Sequence, residues 1–346
     1  MPSLSGITSV TGLSRVQPNL NETPDNTTWT LCVIPDTQRL APNNATAYNT
    51  LMQYVVDEHA LGNIDMMIHM GDVVNSGGTS SEWTVVDNAM SRLQTNNVPH
   101  LMTIGNWDYD NGNADSNRST STYWEPTFPY SYWNGKSWHI ESYQNITTNQ
   151  CGMMTFGNYR YLFLTLEIWA RPEVLSWADR MIDAHAADRI IVSTHGLTAP
   201  NGVFEPDNGT TSNWGQGGSP DKYGICNYDA DDNNCRSGEE IRDQFLKKHD
   251  NIILTVNGHD VAFGNNGQGT NALTAFSTTT LTVNGKTNNV HLFNYQNDSG
   301  NTYANSAYLR LYTFDHSDNT CDVVTYNPVQ DTNLTDGENQ FTFSYT

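Results

Sequence analysis

Five short apolar runs in this chain each lead into side chains that can bind a metal cation. Trp29 to Ile34 leads to Asp36 and Gln38, Asp65 to Met70 to Asp72 and Asn75, and Pro99 to Ile104 to Asn106 and Asp108. Arg189 to Ser193 leads to His195, and Asn251 to Val256 to His259. Carboxylate, amide oxygen and neutral imidazole are the donors that zinc and the harder divalent cations take. A carboxylate such as Asp72 can bridge two ions, because each oxygen has a lone pair to give. Two ions held ~3.5–4 Å apart can clamp a phosphoryl group and generate a hydroxide nucleophile at neutral pH. Singly these signals are weak. Gly-Asp after a strand is usually a turn, and a lone His at a strand end is more often a hydrogen-bonded structural residue.

The elements that must position these residues follow a β-α-β-α-β rhythm. Helical spacing covers Ala45 to His59, Glu82 to Leu93, Glu173 to Ala187 and Gly238 to His249. Met153 to Phe156 and Tyr159 to Leu166 read as a hairpin across Gly157-Asn158. Beyond His259 only strands are expected, at Val290 to Tyr295, Ala307 to Phe314 and Cys321 to Tyr326. In open α/β sheets ligands bind beyond the carboxyl ends of strands, where the candidate residues stand. Residues 1–28 read as a polar arm and 29–346 as one domain, with loop insertions near 108–137 and 196–237.

The series PDTQ (35–38), GDVVN (71–75), GNWD (105–108), STHG (193–196) and NGHD (257–260) resembles the calcineurin-like metallophosphoesterase family. The order of the motifs carries the resemblance, which spans Trp29 to His259. It continues into VHLFNYQ (290–296), AYLRLYTFD (307–315) and VVTYNP (323–328), which look like closing strands of an extracellular D-T-Q branch. The resemblance implies an α/β fold, a four-layer α/β/β/α sandwich of two mixed sheets flanked by helices. It assigns Asp36 and Gln38 to a first metal, Asp72 to the bridge, and Asn106, His195 and His259 to a second. Asn75 and Asp108 would orient the ligands. Asp72, Asn106, Trp107 and Asp108 would form the catalytic group, with one or two divalent ions (Mn, Fe, Zn, Ca or Mg) and no other cofactor. The implied activity is hydrolysis of phosphate mono- or diesters by a metal-activated hydroxide.

Three positions depart from the family pattern. Gln38 stands where most members have His, and Val261 replaces the second histidine of GHxH. His291 and Asp260 are candidates to make up the first site. Trp107 stands where a histidine stabilises or protonates the leaving group, and an indole has one N–H and no proton to give near neutral pH. General acid catalysis is typically worth ~10²–10⁴-fold, so its loss bears most on poor leaving groups. An active hydrolase could use Trp107 as donor or platform and take a proton from water, Asp110 or His69. The alternatives are a catalytically weakened metalloprotein that binds an anionic or glycan ligand, and metals that serve structure alone.

Composition narrows the partners. A net charge of −21 with 16 basic residues repels nucleic acid and anionic lipid, although bound cations can reverse the field locally. No run is long and apolar enough to span a membrane, and Gly-x-Ser-x-Gly and the P-loop are both missing. Of five cysteines, Cys226 and Cys235 flank a polar loop and suit a local disulfide in an oxidising compartment. Sequons begin at Asn21, Asn26, Asn44, Asn117, Asn145, Asn208, Asn297 and Asn333. With scarce Lys they favour a secreted glycoprotein, although no signal peptide is visible at the start. Loop tryptophans Trp124, Trp133 and Trp214 could line a cleft but are expected to pack, as is Trp177 on its helix. The acidic loop 229–234 is read as solvated, because it lacks the glycine and closing glutamate of a calcium loop.

Overall fold

The computed structural model describes residues 27–110, 121–185, 187–205, 235–260, 275–296 and 304–345. The N-terminal arm up to residue 26, Cys226, Trp214, Val261, the acidic loop and the sequons at Asn21, Asn26, Asn117, Asn208 and Asn297 lie outside these residues.

Strand β1 (Thr28–Ile34) is buried from Trp29 onward and leads through a one-turn helix α1 (Leu40–Asn43) into α2 (Ala45–Ala60). The Asn44 side chain caps α2 by accepting from the Ala47 amide at 3.0 Å. The helix buries Tyr48, Leu51, Met52, Val55 and Val56, the three-and-four spacing of one face. Then come β2 (Met66–His69), α3 (Ser80–Thr95) and β3 (His100–Met102). Two one-turn helices, α4 (Trp124–Thr127) and α5 (Tyr130–Trp133), precede β4 (His139–Ser142), β5 (Gln150–Phe156) and β6 (Tyr159–Leu166). Helix α6 (Pro172–Ala184), β7 (Arg189–Thr194), α7 (Gly238–Gln244) and β8 (Ile252–Asn257) follow. The chain ends in β9 (Ala275–Val283), β10 (Lys286–Asn294), β11 (Leu309–Asp315), β12 (Thr320–Asn327), β13 (Thr332–Leu334) and β14 (Gln340–Ser344).

These strands form two mixed sheets. One has the order β13-β12-β11-β1-β2-β3 with β14 also on β12, and the other the order β4-β5-β6-β7-β8-β10-β9. Strands β1, β2 and β3 are parallel, as are β6, β7, β8 and β10. The sheets meet over an aromatic layer: Trp29 stacks on Phe156 at 4.2 Å and on Phe314 at 4.7 Å, with Tyr161 edge-on at 4.6 Å. Helices α2 and α3 join this core, while α6 and α7 share a second cluster with Leu162, Leu164, Ile190 and Val192. This is the four-layer arrangement of two mixed sheets with flanking helices.

Three expectations need correction. The helix expected over Gly238 to His249 stops at Gln244, because Phe245 (φ −133, ψ −64) leaves the helical region to bury its ring. The stretch 108–137, expected as a loop without period, contains α4 and α5. Trp124, Phe128 and Trp133 are buried there, so these tryptophans pack, as their sequence reading expects. Strands β4, β9, β13 and β14 were not anticipated. All lie at sheet margins, where one neighbour and a polar face leave little hydrophobic pattern.

Candidate metal centre

The five expected turns all open at the carboxyl ends of parallel strands: β1, β2 and β3 in one sheet, β7 and β8 in the other. Three glycines let these turns close on one another. A Cβ on Gly71 would lie 2.7 Å from the Gly105 amide and 2.8 Å from His195 Nδ1. On Gly105 it would lie 2.2 Å from Asp72 Oδ1, and on Gly258 2.4 Å from Asp36 Oδ1. The backbone is also held in costly conformations: Asp72 (φ +50), Trp169 (φ +46) and His259 (φ +66) occupy the left-handed region without being glycine.

Asp72, His195 and His259 are buried, and each offers a ligand atom within 4.8 Å of the others. The Nδ1–H of His195 donates to the Met70 carbonyl at 2.8 Å, so Nε2 faces Asp72 Oδ2, 3.2 Å away, and is the nitrogen left to a metal once its proton is released. The His195 and His259 rings lie 5.1 Å apart. Asn106 is buried in the turn between Gly105 and Trp107. The Trp107 backbone N–H, rather than its half-buried ring, holds Asp72 by donating to Oδ1 at 2.9 Å.

Asp36 is buried beside this group. Its Oδ1 accepts from the His259 amide at 3.2 Å, and its Oδ2 from Asn294 Nδ2 at 2.7 Å and Gln296 Nε2 at 3.2 Å. Gln38 Nε2 donates to Asp72 Oδ2 at 3.2 Å and touches Gln296 Oε1. Asp108 Oδ1 accepts from the amides of Val73 (2.8 Å) and Val74 (3.3 Å), and Oδ2 from Gly105 (2.8 Å). That carboxylate ties the Asp72 turn to the Asn106 turn and is used up in doing so. Asn75 accepts from Arg39 Nη1 at 3.0 Å, linking the Asp72 turn to the residue after Gln38.

Three buried carboxylates crowd this space, and the electrostatics call for positive charge. Burial pushes Asp36 up to about 7, with Asp72 adding to the rise and His195 opposing it. Burial and then Asp72 raise Asp108 well above the usual carboxylate range. Burial alone would pull His195 down, but Asp72 and Asp36 overcome it and push the imidazole up to about 10. A divalent cation held there would supply the same neutralisation, and His195 would give up its proton to bind it. The donor set of carboxylate, amide and imidazole fits such an ion.

Other candidates fall elsewhere. His69 is buried, accepts from the Gly71 amide on Nδ1 at 3.2 Å and bonds Thr37 Oγ1 from Nε2 at 3.0 Å, and burial and then His195 bring it down to about 3, so it is neutral at pH 7 and is not a general acid. Asp110 accepts from the amide and hydroxyl of Thr122 at 2.7 and 2.5 Å. His291 lies between the sheets, 3.2 Å from the Tyr312 hydroxyl and against Phe341 and Phe343. Strand alternation puts it on the face opposite Asn294, which rules it out as a first-site ligand. Asp260 is buried next to His259. Sequence reasoning missed Asn294 and Gln296, and also Trp169, whose ring meets His259 edge-on at 5.3 Å and donates to Glu205 Oε2 at 2.5 Å. Burial pushes Glu205 up to about 7, against the pull of Trp169 and His195.

A sandwich of two mixed sheets whose parallel strand ends gather aspartate, histidine and amide ligands defines a metallophosphoesterase-like protein. The model of the calcineurin-like phosphoesterase family matches residues 30–263, and the chain belongs to that family. It is similar to the uncharacterized protein YvnB of Bacillus subtilis (strain 168), 23% identical over 318 residues, which are 90% of this chain and 21% of that protein. Among solved structures it is similar to the purple acid phosphatase PPD1 of yellow lupin (Lupinus luteus) seeds. The TM-score is 0.51 at 12% identity, covering 92% of this chain and 54% of that one. The chain therefore spans about a fifth of the curated relative's length and about half of the phosphatase's. No helix among the described residues is long and apolar enough to cross a membrane.

Proposed function

We propose that this chain is a metal-dependent phosphoesterase of the D-T-Q branch that hydrolyses phosphate mono- or diesters. The observation that carries this reading is the buried convergence of Asp72, His195 and His259 within 4.8 Å. In this reading His195, His259, Asn106 and Asp72 hold one divalent ion, and Asp36 and Gln38 share Asp72 toward a second. When bound, the ions supply positive charge for the phosphoryl oxygens and acidify a water. The chain's own groups do the aiming: Met70 O fixes the His195 tautomer, the Trp107 amide fixes Asp72, and Asp108 fixes both turns around them. Trp107 offers an indole N–H to the leaving oxygen without a proton to transfer, which favours esters of acidic alcohols.

The test is turnover of aryl phosphomonoesters and diesters with Mn, Fe, Zn, Ca or Mg. Activity that Asp72→Ala and His195→Ala abolish supports the proposal, and its absence with every metal overturns it. Trp107 also favours a second reading, a metalloprotein of this fold that binds an anionic or glycan ligand without turnover. Phosphate binding to the loaded protein in the absence of any hydrolysis would select it.

The proposed setting is extracellular, with N-glycans and a Cys226–Cys235 disulfide. Asn145 and Asn333 are exposed and Asn44 half-exposed, while Cys32, Cys151 and Cys321 are buried and free. A mass shift on deglycosylating the secreted protein, and a Cys226–Cys235 peptide in a non-reducing digest, are the expected results.

A further inference from the structure

We infer that the first metal position of this chain is an oxygen-only site completed by Gln296, and that it takes a hard cation such as Ca²⁺ or Mg²⁺. This rests on the metal-centre reading above. Gln38 and Val261 replace the two imidazoles that the family pattern places there. What meets Asp36 instead is the end of β10.

Two amides with different duties arrive from that end. Asn294 accepts the Gln296 amide on Oδ1 at 3.1 Å while its Nδ2 donates to Asp36 at 2.7 Å. Turning it over would lose both bonds, so Asn294 is a positioning residue that aims the Asp36 carboxylate. Gln296 is held only by the groups that a cation would draw in, donating to Asp36 from Nε2 and accepting from Gln38 on Oε1. Its side chain touches Gln38 and lies 3.2 Å from Asp36 Oδ2, and Gln38 in turn lies 3.2 Å from Asp72 Oδ2. The two glutamines thus span the space between the two carboxylates, 2% and 6% exposed. Gln38 Oε1 is buried there without a hydrogen-bond partner among the described residues.

A buried acceptor left unsatisfied is costly, and a cation satisfies it. The terminal torsion of a glutamine is broad, so both amides can turn their oxygens toward an ion, whose bonds to Asp36, Asp72 and the two amide oxygens replace the hydrogen bonds given up. The donors are then carboxylate oxygens of Asp36 and Asp72 and amide oxygens of Gln38 and Gln296. Oxygen donors suit calcium and magnesium, whereas zinc seeks nitrogen or sulfur. The neighbouring position keeps both imidazoles, so the centre divides its ligands by hardness.

Chelator-stripped full-length protein titrated calorimetrically with Zn²⁺ should bind one equivalent, and Ca²⁺ added to the zinc-loaded protein should bind a second. Gln296→Met should weaken the calcium step at least about tenfold and leave the zinc step in place. Gln296→His should admit a second zinc. Circular dichroism melts check that each variant is folded, and Gln38→Met repeats the test from the other amide. Two zinc equivalents in the wild type, no calcium step, or a calcium step unchanged in both methionine variants overturns the inference. Loss of the zinc step with calcium binding intact would instead count against the phosphoesterase centre.

Discussion

Gly105→Ala removes nothing and adds one methyl group, so it isolates the close approach on which the centre depends. The backbone at Gly105 (φ −100, ψ 179) is open to any residue, so the substitution carries no conformational strain of its own. Its Cβ would stand 2.2 Å from Asp72 Oδ1 and 2.5 Å from the Asp72 backbone nitrogen. A tolerable contact needs about 3.0 Å, so the two turns must part by about 0.8 Å (3.0 less 2.2). Asp72 cannot yield by rotamer alone, because its own amide is one of the atoms struck and its φ of +50 is already strained. Overpacking of this kind typically costs about 1–3 kcal/mol, and a misplacement near 1 Å can lower turnover by about 10²-fold. Gly337→Ala is the control, because a Cβ there meets none of the described residues within 4 Å. Both variants would be compared by urea unfolding, zinc titration and aryl phosphate hydrolysis. If Gly105→Ala matches Gly337→Ala in all three, the turns are not held at this spacing and the glycine argument is wrong.

Trp107→His should raise turnover of alkyl phosphates by about 10²-fold or more while changing aryl phosphates less, since only poor leaving groups need the proton. No change would mean that the indole does not limit the rate. Zinc affinity should rise with pH: His195, pushed up to about 10, is protonated at pH 7 in the cation-free protein and must release that proton to bind. The apparent constant should grow about tenfold per pH unit below that pKa, and more steeply below about 7, where Asp36 also takes up a proton. Calorimetry in buffers of different ionisation enthalpy reads the protons released, and none released would refute the assignment of His195. Trp29→Ala should cost about 3–5 kcal/mol in unfolding free energy and leave zinc stoichiometry intact, because its aromatic neighbours belong to the inter-sheet core.

The parallel strands were legible because, buried on both faces, they read as nearly unbroken apolar runs, such as MMIH in β2 and RIIVST in β7. Edge strand β9 carries AFSTTTLTV, half of it polar, and gave no such signal. The ligand turns were legible through the polar residue at each strand's end. Asn294 and Gln296 carry that same mark at the end of β10, two residues apart and so on one face. Neither stands in one of the five ordered motifs, so their sequence context marks a strand end and not a ligand. His291 has the donor type usual for such a site, but alternation turns it to the other face.

Trp107 shows why a motif can lose a side chain and keep its geometry. What this position contributes to Asp72 is a backbone N–H at 2.9 Å, which any residue except proline supplies. The imidazole usual there can therefore be lost without loosening the ligand, and only the chemistry at the leaving group changes. Asp108 has no such freedom. Its two oxygens accept three backbone amides from two turns, and an asparagine would present a donor to one of those sites. The Trp107 indole and the Gln38 amide are thus changes in what the centre does, made on turns whose positions are fixed by backbone bonds and by glycines. Rate and metal preference can then shift in this chain while the ligands stay in place, so the two should respond separately to Trp107→His and Gln296→His.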